Sequence, residues 1–270
     1  MINAGHHSIF EHANLNLYMT GIPKILVMVL NNEKQYSTSE KSARYTKMSD
    51  IEPSQNEKYE KWMNIFVPEI DKIYPKIVDK KRKENITKLA KENARYMTSV
   101  FTPTKMAHTV NLRQLNFLYI QLEKFHEEHS NSENLFNRRL SQSIKEFLPY
   151  IEQFRIDGLD NQTDRHLSIF SNRRVEEHFG DCYSTEYALS FAGLAQTHRH
   201  RTINYQIIEE IELDILDRFF IPDIVPEKKR GEWLSDLREI AKNDYPQAQL
   251  VTISERRIIE DFRSKAFLRM

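Results

Sequence analysis

A stretch rich in turn-forming residues, DGLDNQTD at residues 157–164, interrupts the regular patterns of this chain. On each side of it, short apolar stretches typical of strands are mixed with segments of helical periodicity. Neither side shows the regular strand–helix alternation of a doubly wound sheet. The sequence therefore predicts an α+β fold in two domains, residues 1–156 and residues 157–270.

The periodicity of the apolar residues predicts the individual elements. In the first domain we expect strand-like stretches within residues 13–30, helices within residues 53–96, a strand at 104–110, and helices at 115–125 and 140–154. In the second domain we expect helices at 207–220 and 233–241, a strand at 250–253 and a final helix at 258–267.

Charge and cysteine content limit the classes of protein to which the chain can belong. Lys plus Arg and Asp plus Glu both total 39, so the chain lacks the basic excess of a general nucleic-acid binder. A single cysteine, Cys182, cannot form an intramolecular disulfide. The longest apolar run, residues 22–30, is far shorter than the roughly 20 residues of a membrane span. We therefore expect a cytoplasmic protein that binds neither nucleic acid nor membranes.

Glycine is scarce, with 6 residues, and neither G-x-G-x-x-G nor G-x-x-x-x-G-K-[ST] occurs. These are the loops in which backbone N–H groups hold the phosphates of a nucleotide. A nucleotide bound by this chain must therefore be held by side chains, and the planar guanidinium of arginine suits a phosphate.

Four local patterns carry polar groups suited to binding: GHHSIFEH at residues 5–12, STSEKSARY at 37–45, ENAR at 92–95 with N-x-R at 111–113, and QTHRHR at 196–201. A His/Glu cluster like the first can ligate a metal, but surface or capping histidines are commoner, and we predict no metal. The second and third patterns are ordinary surface residues unless they meet a phosphate. The fourth follows an apolar run, and buried arginines there require an anionic partner.

Taken together, these patterns resemble the flavin-dependent thymidylate synthase family. In that family a GHxSxxEH block like residues 5–12 leads through an apolar strand into the signature RHRxxSxNxxSxR. Here the signature keeps its serines and the final Arg44, but Asn-Glu-Lys at residues 32–34 replaces RHR. Residues 92–113 resemble the family's E-x-A-R block and its N-x-R helix start. The arginine that ends this helix in the family is Leu122 here.

The second half of the chain resembles the same family but keeps different pieces. Residues 190–202 resemble the segment that leads into RHR, with Gln196 and the triplet at 199–201 in place. The serine strip that follows in the family is eroded here. Residues 245–248 resemble a Leu-Pro-x-Ala turn, from which the arginine that closes the last helix falls on Arg269. The chain thus resembles two diverged copies of one domain in tandem, the first without its usual N-terminal segment.

The two copies have lost opposite pieces. In the family the uracil-nucleotide site lies between subunits. One subunit gives Q-x-x-R, RHR and the helix-end arginine, and its neighbour gives an E-x-S-x-R strip and the E-x-A-R arginine. The second copy here keeps the first set, and the first copy keeps the second set. This complementarity predicts one composite site per chain in place of two equal sites.

The resemblance also implies roles for individual residues. The substrate dUMP is expected to contact Glu40, Ser42, Arg44, Arg95, Gln196 and Arg199, with the arginines on its phosphate and ribose. Arg269 is the expected catalytic residue, because it would stabilise the uracil ionised at N3. FAD is expected to contact Ser8, Glu11, Glu40, Asn111, Arg113, Arg199, His200 and Arg201.

The implied reaction is the reductive methylation of dUMP to dTMP. Methylenetetrahydrofolate supplies the carbon, FAD relays it and NADPH is the reductant, so the cofactor performs the hard step and the protein positions it. The family uses no cysteine nucleophile, which agrees with the lone Cys182. Two alternatives stay open: an inactive member that serves as a nucleotide-binding, flavin-binding or structural subunit, and a helical nucleic-acid-binding protein that uses residues 199–201.

A duplication makes a structural prediction. The two copies, each a mainly antiparallel sheet with helices, should pack as a pseudo-dimer in which Asn32 matches Arg199 and Ser99 matches Pro246. Because the family is tetrameric, two such chains are expected to form the equivalent homodimer.

Overall fold

The computed structural model describes residues 2, 6–75, 81–159, 166–171, 182–198, 200, 203–213 and 218–258. In these ranges the chain forms seven α-helices: α1 (Lys24–Asn32), α2 (Pro53–Ile73), α3 (Arg82–Ala94), α4 (Leu112–His129), α5 (Leu135–Glu152), α6 (Phe191–Thr197) and α7 (Arg230–Ala241). The strands of the same ranges are β1 (Asn14–Pro23), β2 (Tyr36–Glu40), β3 (Pro103–Asn111), β4 (Cys182–Ser190), β5 (Asn204–Ile207) and β6 (Leu250–Ile258). None of these helices is long and apolar enough to cross a membrane.

Each half of the chain contributes one three-stranded antiparallel sheet. The first sheet has the order β1-β3-β2 and the second has the order β4-β6-β5, so the strand that comes last in sequence lies in the middle of both. A helix follows the first strand of each sheet directly, α1 after β1 and α6 after β4. These antiparallel sheets and helices confirm the predicted α+β class.

The strands of the two sheets pair in the same register. Pro23 pairs with Pro103 in the first sheet as Ser190 pairs with Leu250 in the second. Counting from these pairs, Glu40 opposite Met106 in the first sheet corresponds to Ile207 opposite Ile253 in the second. A bulge in β1 at Gly21 is the difference, and its φ of 74° suits glycine because a Cβ disfavours this region. The common register supports the hypothesis that the halves are copies of one domain.

The two halves meet at an antiparallel bridge between Ser99 and Pro246. The amide that follows Ser99 donates to the carbonyl that precedes Pro246, at 2.9 Å. The amide that follows Pro246 donates in turn to the carbonyl that precedes Ser99, at 2.8 Å. Exchanging the halves maps one hydrogen bond onto the other, which is the local geometry expected around a twofold axis.

The apolar core contains residues from both halves. Trp62 and Phe66 of α2 pack against Trp233 of α7, with ring centroids 4.7 and 5.7 Å from that of Trp233. All three side chains are fully buried. A second cluster joins α1, α4 and α5 to residues of β5 and α6, including Tyr205 and Phe191. The core therefore crosses the predicted boundary after residue 156, and the division into two domains stays a prediction.

The apolar stretch at residues 25–30, expected as strand, is part of helix α1. Each of its side chains is at most 1% exposed. A run that is apolar on every side shows no periodicity, so the sequence alone does not separate a buried strand from a buried helix. Pro23 ends β1 and stands at the N-cap of α1, where its missing N–H leaves no helical hydrogen bond unmade.

The helix expected at residues 207–220 is wrong for the described part of that range. Strand β5 ends at Ile207, and residues 208–213 are not helical. The backbone there bonds to distant segments, since the amide of residue 208 donates to Thr252 (3.1 Å) and that of Phe220 donates to Ala248 (2.8 Å). These distant partners replace the local i to i−4 hydrogen bonds that a helix needs.

Replacing Trp233 by alanine is expected to lower the free energy of unfolding by about 3–5 kcal/mol, since it removes a buried indole and leaves a cavity beside Trp62. Urea unfolding followed by circular dichroism measures the loss. Ile73→Ala on α2 is the control, because this side chain is 73% exposed, and its change should stay within about 0.5 kcal/mol. Equal losses in the two variants would contradict the packing described here.

Candidate functional site

A cavity of about 170 Å³ lies between the two halves of the chain. Its wall includes five residues that the sequence analysis assigned to the nucleotide: Glu40, Ser42, Arg44, Arg95 and Gln196. The first four belong to the first half and Gln196 belongs to the second. The structure thus brings described members of both complementary sets together, and their role in binding stays a prediction.

The first half presents its residues from β2 and from the end of α3. Glu40 ends β2 opposite Met106, and the amide of Lys41 donates to Lys105 at 2.9 Å, which continues the strand pairing. A turn then carries Arg44 to the cavity. Arg95 begins a short 3₁₀ helix directly after α3.

The bridge between the halves sets the position of Gln196. Helix α6 begins with the amides of its first two residues donating to Gln249 and Gln247, at 3.2 and 3.1 Å. The segment 245–249 is itself hydrogen-bonded to residues 98–100, just after Arg95. The C-terminal end of α6 is therefore held against Arg95. No local sequence pattern predicts this contact, because Arg95 and Gln196 are far apart in the chain.

Two arginines face the cavity around one carboxylate. Nε of Arg44 lies 2.8 Å from Oε1 of Glu92, and Nη2 of Arg95 lies 4.0 Å from the same oxygen. The Gln196 amide is best placed with its oxygen toward Arg95, where it accepts from Nη2 and, at 3.1 Å, from Nη1. Nε of each arginine has no aligned hydrogen-bond acceptor among the described residues.

Burial makes the charge of Arg95 costly. The residue is 6% exposed, and its pKa is lowered mainly because burial disfavours the charged form, with the nearby Arg44 acting in the same direction. The phenol group of Tyr96, through its hydrogen bond and its charge, and the carboxylate of Glu92 oppose this shift. A second anion beside the two guanidinium groups would lower the cost, since a desolvated charge needs an opposite charge.

Lys24 and Glu40 form a separate ion pair in the cavity wall. Nζ of Lys24 lies 2.5 and 2.6 Å from the two carboxylate oxygens of Glu40. Both side chains are mostly buried, at 15% and 18% exposed. The pair neutralises itself, so the positive excess of the cavity comes from Arg44, Arg95 and the adjacent Lys41.

The sequence analysis did not identify His198, whose side chain also lines the cavity. The residue is 6% exposed, and neither ring nitrogen has a hydrogen-bond partner among the described residues. Burial lowers its pKa to about 3, and the charges of Lys24 and Lys34 add to this effect. The imidazole is therefore neutral at pH 7. The sequence signal for His198 is its position inside QTHRHR, but the family resemblance assigns roles to other residues of that motif.

The described residues that are expected at the flavin do not converge in one chain. Glu11 and Arg113 form an ion pair at 2.5 Å, Asn111 caps α4 by accepting from the amide of Gln114 at 2.8 Å, and Ser8 lies in the adjacent 3₁₀ helix. This group lies at the end of β3 where Asn111 pairs with Asn14, whereas Glu40 pairs with Met106. At 3.3 Å per residue, these two places are roughly 16 Å apart along β3.

Other predicted residues of the site have a different placement or no description. His200 lies in the turn after α6 and is absent from the cavity wall. Arg199, Arg201 and Arg269 lie outside the described residues, as do most of the predicted final helix and residues 160–164 of the predicted linker.

The triplet that replaces RHR in the first half is bound into the protein. Nδ2 of Asn32 donates to Oγ of Ser168 at 2.8 Å, and the same hydroxyl donates to the Glu33 carboxylate at 2.6 Å. Nζ of Lys34 donates to the carbonyl of Ile203 at 2.6 Å. Asn32 and Glu33 are buried, so these side chains close the place where the family signature stood.

Comparison with protein families gives one match. The family model described as thymidylate synthase complementing protein matches residues 1–146, more than half of the chain. A search of curated proteins gives no match.

His108, like His198, makes stability depend on pH. Burial lowers its pKa to about 4, below the value of 6.5 for an exposed imidazole, so the unfolded chain takes up more protons between these values and stability falls with pH. Between pH 7 and pH 5, the free energy of unfolding should fall by about 2 kcal/mol less in His108→Phe than in the parent protein. Urea unfolding at both pH values measures this difference. The same pH dependence in His108→Phe and in the parent protein would contradict the prediction.

Proposed function

Because the chain belongs to the family of thymidylate synthase complementing proteins, we propose that it binds dUMP in the cavity between its halves and methylates it reductively to dTMP. The proposed co-substrates are methylenetetrahydrofolate and NADPH, and the proposed cofactor is FAD. A cytoplasmic location and the absence of nucleic-acid and membrane partners belong to the same proposal.

The observation that carries the proposal is the shortage of anions around Arg44 and Arg95. One carboxylate, that of Glu92, serves both guanidinium groups, and Nε of each lacks an aligned acceptor among the described residues. Native proteins satisfy nearly all buried polar groups, so such donors in a cavity wall point to a ligand with several acceptor oxygens. A phosphate monoester has these oxygens and the required charge.

The second part of the proposal is that the two copies share a single site. The register that matches the two sheets assigns Ile207, Ile211 and Val29 to the positions of Glu40, Arg44 and Gln196. All three are buried in the apolar core. The counterparts of these three polar residues are thus aliphatic and offer a phosphate neither charge nor hydrogen bonds. This asymmetry supports one composite site per chain.

Two residues outside the described ranges complete the proposed site. Arg199 is the next residue in sequence after His198, and we assign it to the phosphate. We assign Arg269 to the uracil ring, where its charge would stabilise the ion formed at N3 and make C5 a better nucleophile. Arg269→Ala should therefore remove turnover and leave most dUMP binding in place.

The fit of a flavin is incomplete within one chain, because Glu40 and the group at Asn111 lie at different ends of β3. A homodimer of two such chains is part of the proposal, because the group at Asn111 of one chain would then meet Glu40 of the other. Light scattering tests it, and a monomer would contradict it.

The same separation of flavin residues favours a second candidate function, an inactive family member that binds the nucleotide and serves as a subunit. Release of tritium from dUMP labelled at C5 distinguishes the two functions. Release that depends on methylenetetrahydrofolate supports the enzyme. A protein that binds dUMP and releases no tritium, with FAD and NADPH supplied, is the inactive member.

The role of the arginines predicts how dUMP affects thermal stability. Bound dUMP should raise the melting temperature by mass action, and Arg44→Ala or Arg95→Ala should abolish the shift, because each charge-assisted contact contributes about 1.5–3 kcal/mol. Arg199→Ala should do the same. Differential scanning fluorimetry with and without dUMP measures this.

Two lysines provide matched controls for that experiment. Lys242 stands where the register of the second half places the counterpart of Arg95, and Lys34 stands at the closed signature. Alanine at either position should leave the dUMP-induced shift intact. The proposal fails if Lys34→Ala removes the shift while Arg95→Ala keeps it.

A single composite site also predicts the stoichiometry of binding. Isothermal titration calorimetry should give one dUMP per chain, because the place related by exchange of the halves holds Ile207, Ile211 and Val29. Two equivalent sites per chain would contradict the asymmetry.

A further inference from the structure

We propose that His198 binds the uncharged part of the nucleotide, by hydrogen bonds to either the imide edge of the base or a sugar hydroxyl. The inference deepens the proposed function and rests on it. It concerns recognition of the nucleoside, whereas the arginines of the cavity are assigned to the phosphate.

The position of His198 is the first argument. It follows α6 two residues after Gln196, and both residues line the cavity. Its ring packs with its edge toward Tyr205, at a centroid distance of 5.4 Å and an interplanar angle of 84°. The residue is 6% exposed, so the cavity is the space through which a ligand can reach the ring.

The lack of hydrogen bonds is the second argument. Both Nδ1 and Nε2 are buried without a partner among the described residues. Leaving such groups unpaired is costly, and a native protein that does so usually has a ligand or water to satisfy them. Two of the other polar residues in the cavity wall are already engaged, since Gln196 contacts Arg95 and Lys24 pairs with Glu40. His198 is therefore available to a ligand.

The charge state decides which part of the ligand His198 suits. Burial together with Lys24 and Lys34 keeps the imidazole neutral. A neutral imidazole has one N–H donor and one acceptor nitrogen. A phosphate needs donors and positive charge, which the arginines supply, whereas an imide or a hydroxyl offers both a donor and an acceptor. The same neutrality argues against a role in proton transfer, which works best with a pKa near the operating pH.

The experiment compares His198→Phe with His108→Phe. His108 is a matched control, because it is also buried with a lowered pKa and an unpaired Nδ1, but it is absent from the cavity wall. Phenylalanine keeps an aromatic ring at each place. Isothermal titration measures the binding of dUMP, of 2-deoxyribose 5-phosphate and of inorganic phosphate to both variants and to the parent protein.

We expect His198→Phe to bind dUMP about 3- to 10-fold more weakly than the parent, as loss of one hydrogen bond between neutral groups implies. Binding of inorganic phosphate should not change. A similar loss for 2-deoxyribose 5-phosphate identifies the sugar hydroxyl as the partner, and no loss identifies the base. His108→Phe should bind all three ligands as the parent does.

Stability without ligand provides a readout that a structural role would not give. Because the ring nitrogens of His198 have no partner among the described residues, His198→Phe should melt at the parent's temperature or above it. His198→Gln, which keeps a donor and an acceptor, should bind dUMP more tightly than His198→Phe, and His198→Leu replaces the phenylalanine variant if that one does not fold.

Three results would overturn the inference. Parental affinity of His198→Phe for dUMP would show that the ring does not contact the nucleotide, and the proposed function would stand. Equal loss of dUMP and inorganic phosphate would indicate general damage to the cavity. Failure of the parent protein to bind dUMP would refute the proposed function together with the inference.

Discussion

The paired backbone hydrogen bonds around Ser99 and Pro246 are the constraint on which the rest of the structure depends. They join the segment after Arg95 to the segment that receives the first amides of α6. Gln196 reaches Arg95 through this connection, and the cavity wall is completed from both halves. A shift of the bridge would separate the two sets of residues without disturbing either sheet, so the site is a property of the interface.

Electrostatics gives a reason why, among the described residues, the pair of neighbouring arginines occurs at one of the two related places. Buried guanidinium groups are costly without an anion, and a chain with two such places would carry that cost twice. Here one place holds Arg44 and Arg95, whereas the counterpart of Arg44 is the buried Ile211, which contributes apolar burial, and that of Arg95 is the exposed Lys242. The first half also closes its old signature with Asn32 and Glu33 bound to Ser168. The asymmetry therefore limits the cost of buried guanidinium groups to the place at which we propose that the phosphate binds.

Much of this arrangement could be predicted from the sequence, and the failures have physical causes. Apolar residues at helical spacing predict helices α2, α4, α5 and α7, because one face of each is apolar. The short stretch at residues 104–110 predicts β3. The sequence gives the wrong element at residues 25–30, because a segment buried on every side shows no periodicity. It also gives the wrong element for the described part of residues 207–220, because the backbone there bonds to distant segments and leaves no local signal. Motif resemblance located Arg44 and Arg95, but His198 became visible only through its unpaired, buried ring.

The central claim is that one nucleotide binds between the halves of each chain. A crystal structure of the protein with dUMP tests it most directly, because it shows the number of nucleotides and their contacts together. The account predicts a single dUMP per chain, with its phosphate between Arg44 and Arg95 and its nucleoside toward His198. A nucleotide bound away from these residues, or a second one at Ile207 and Ile211, would contradict it.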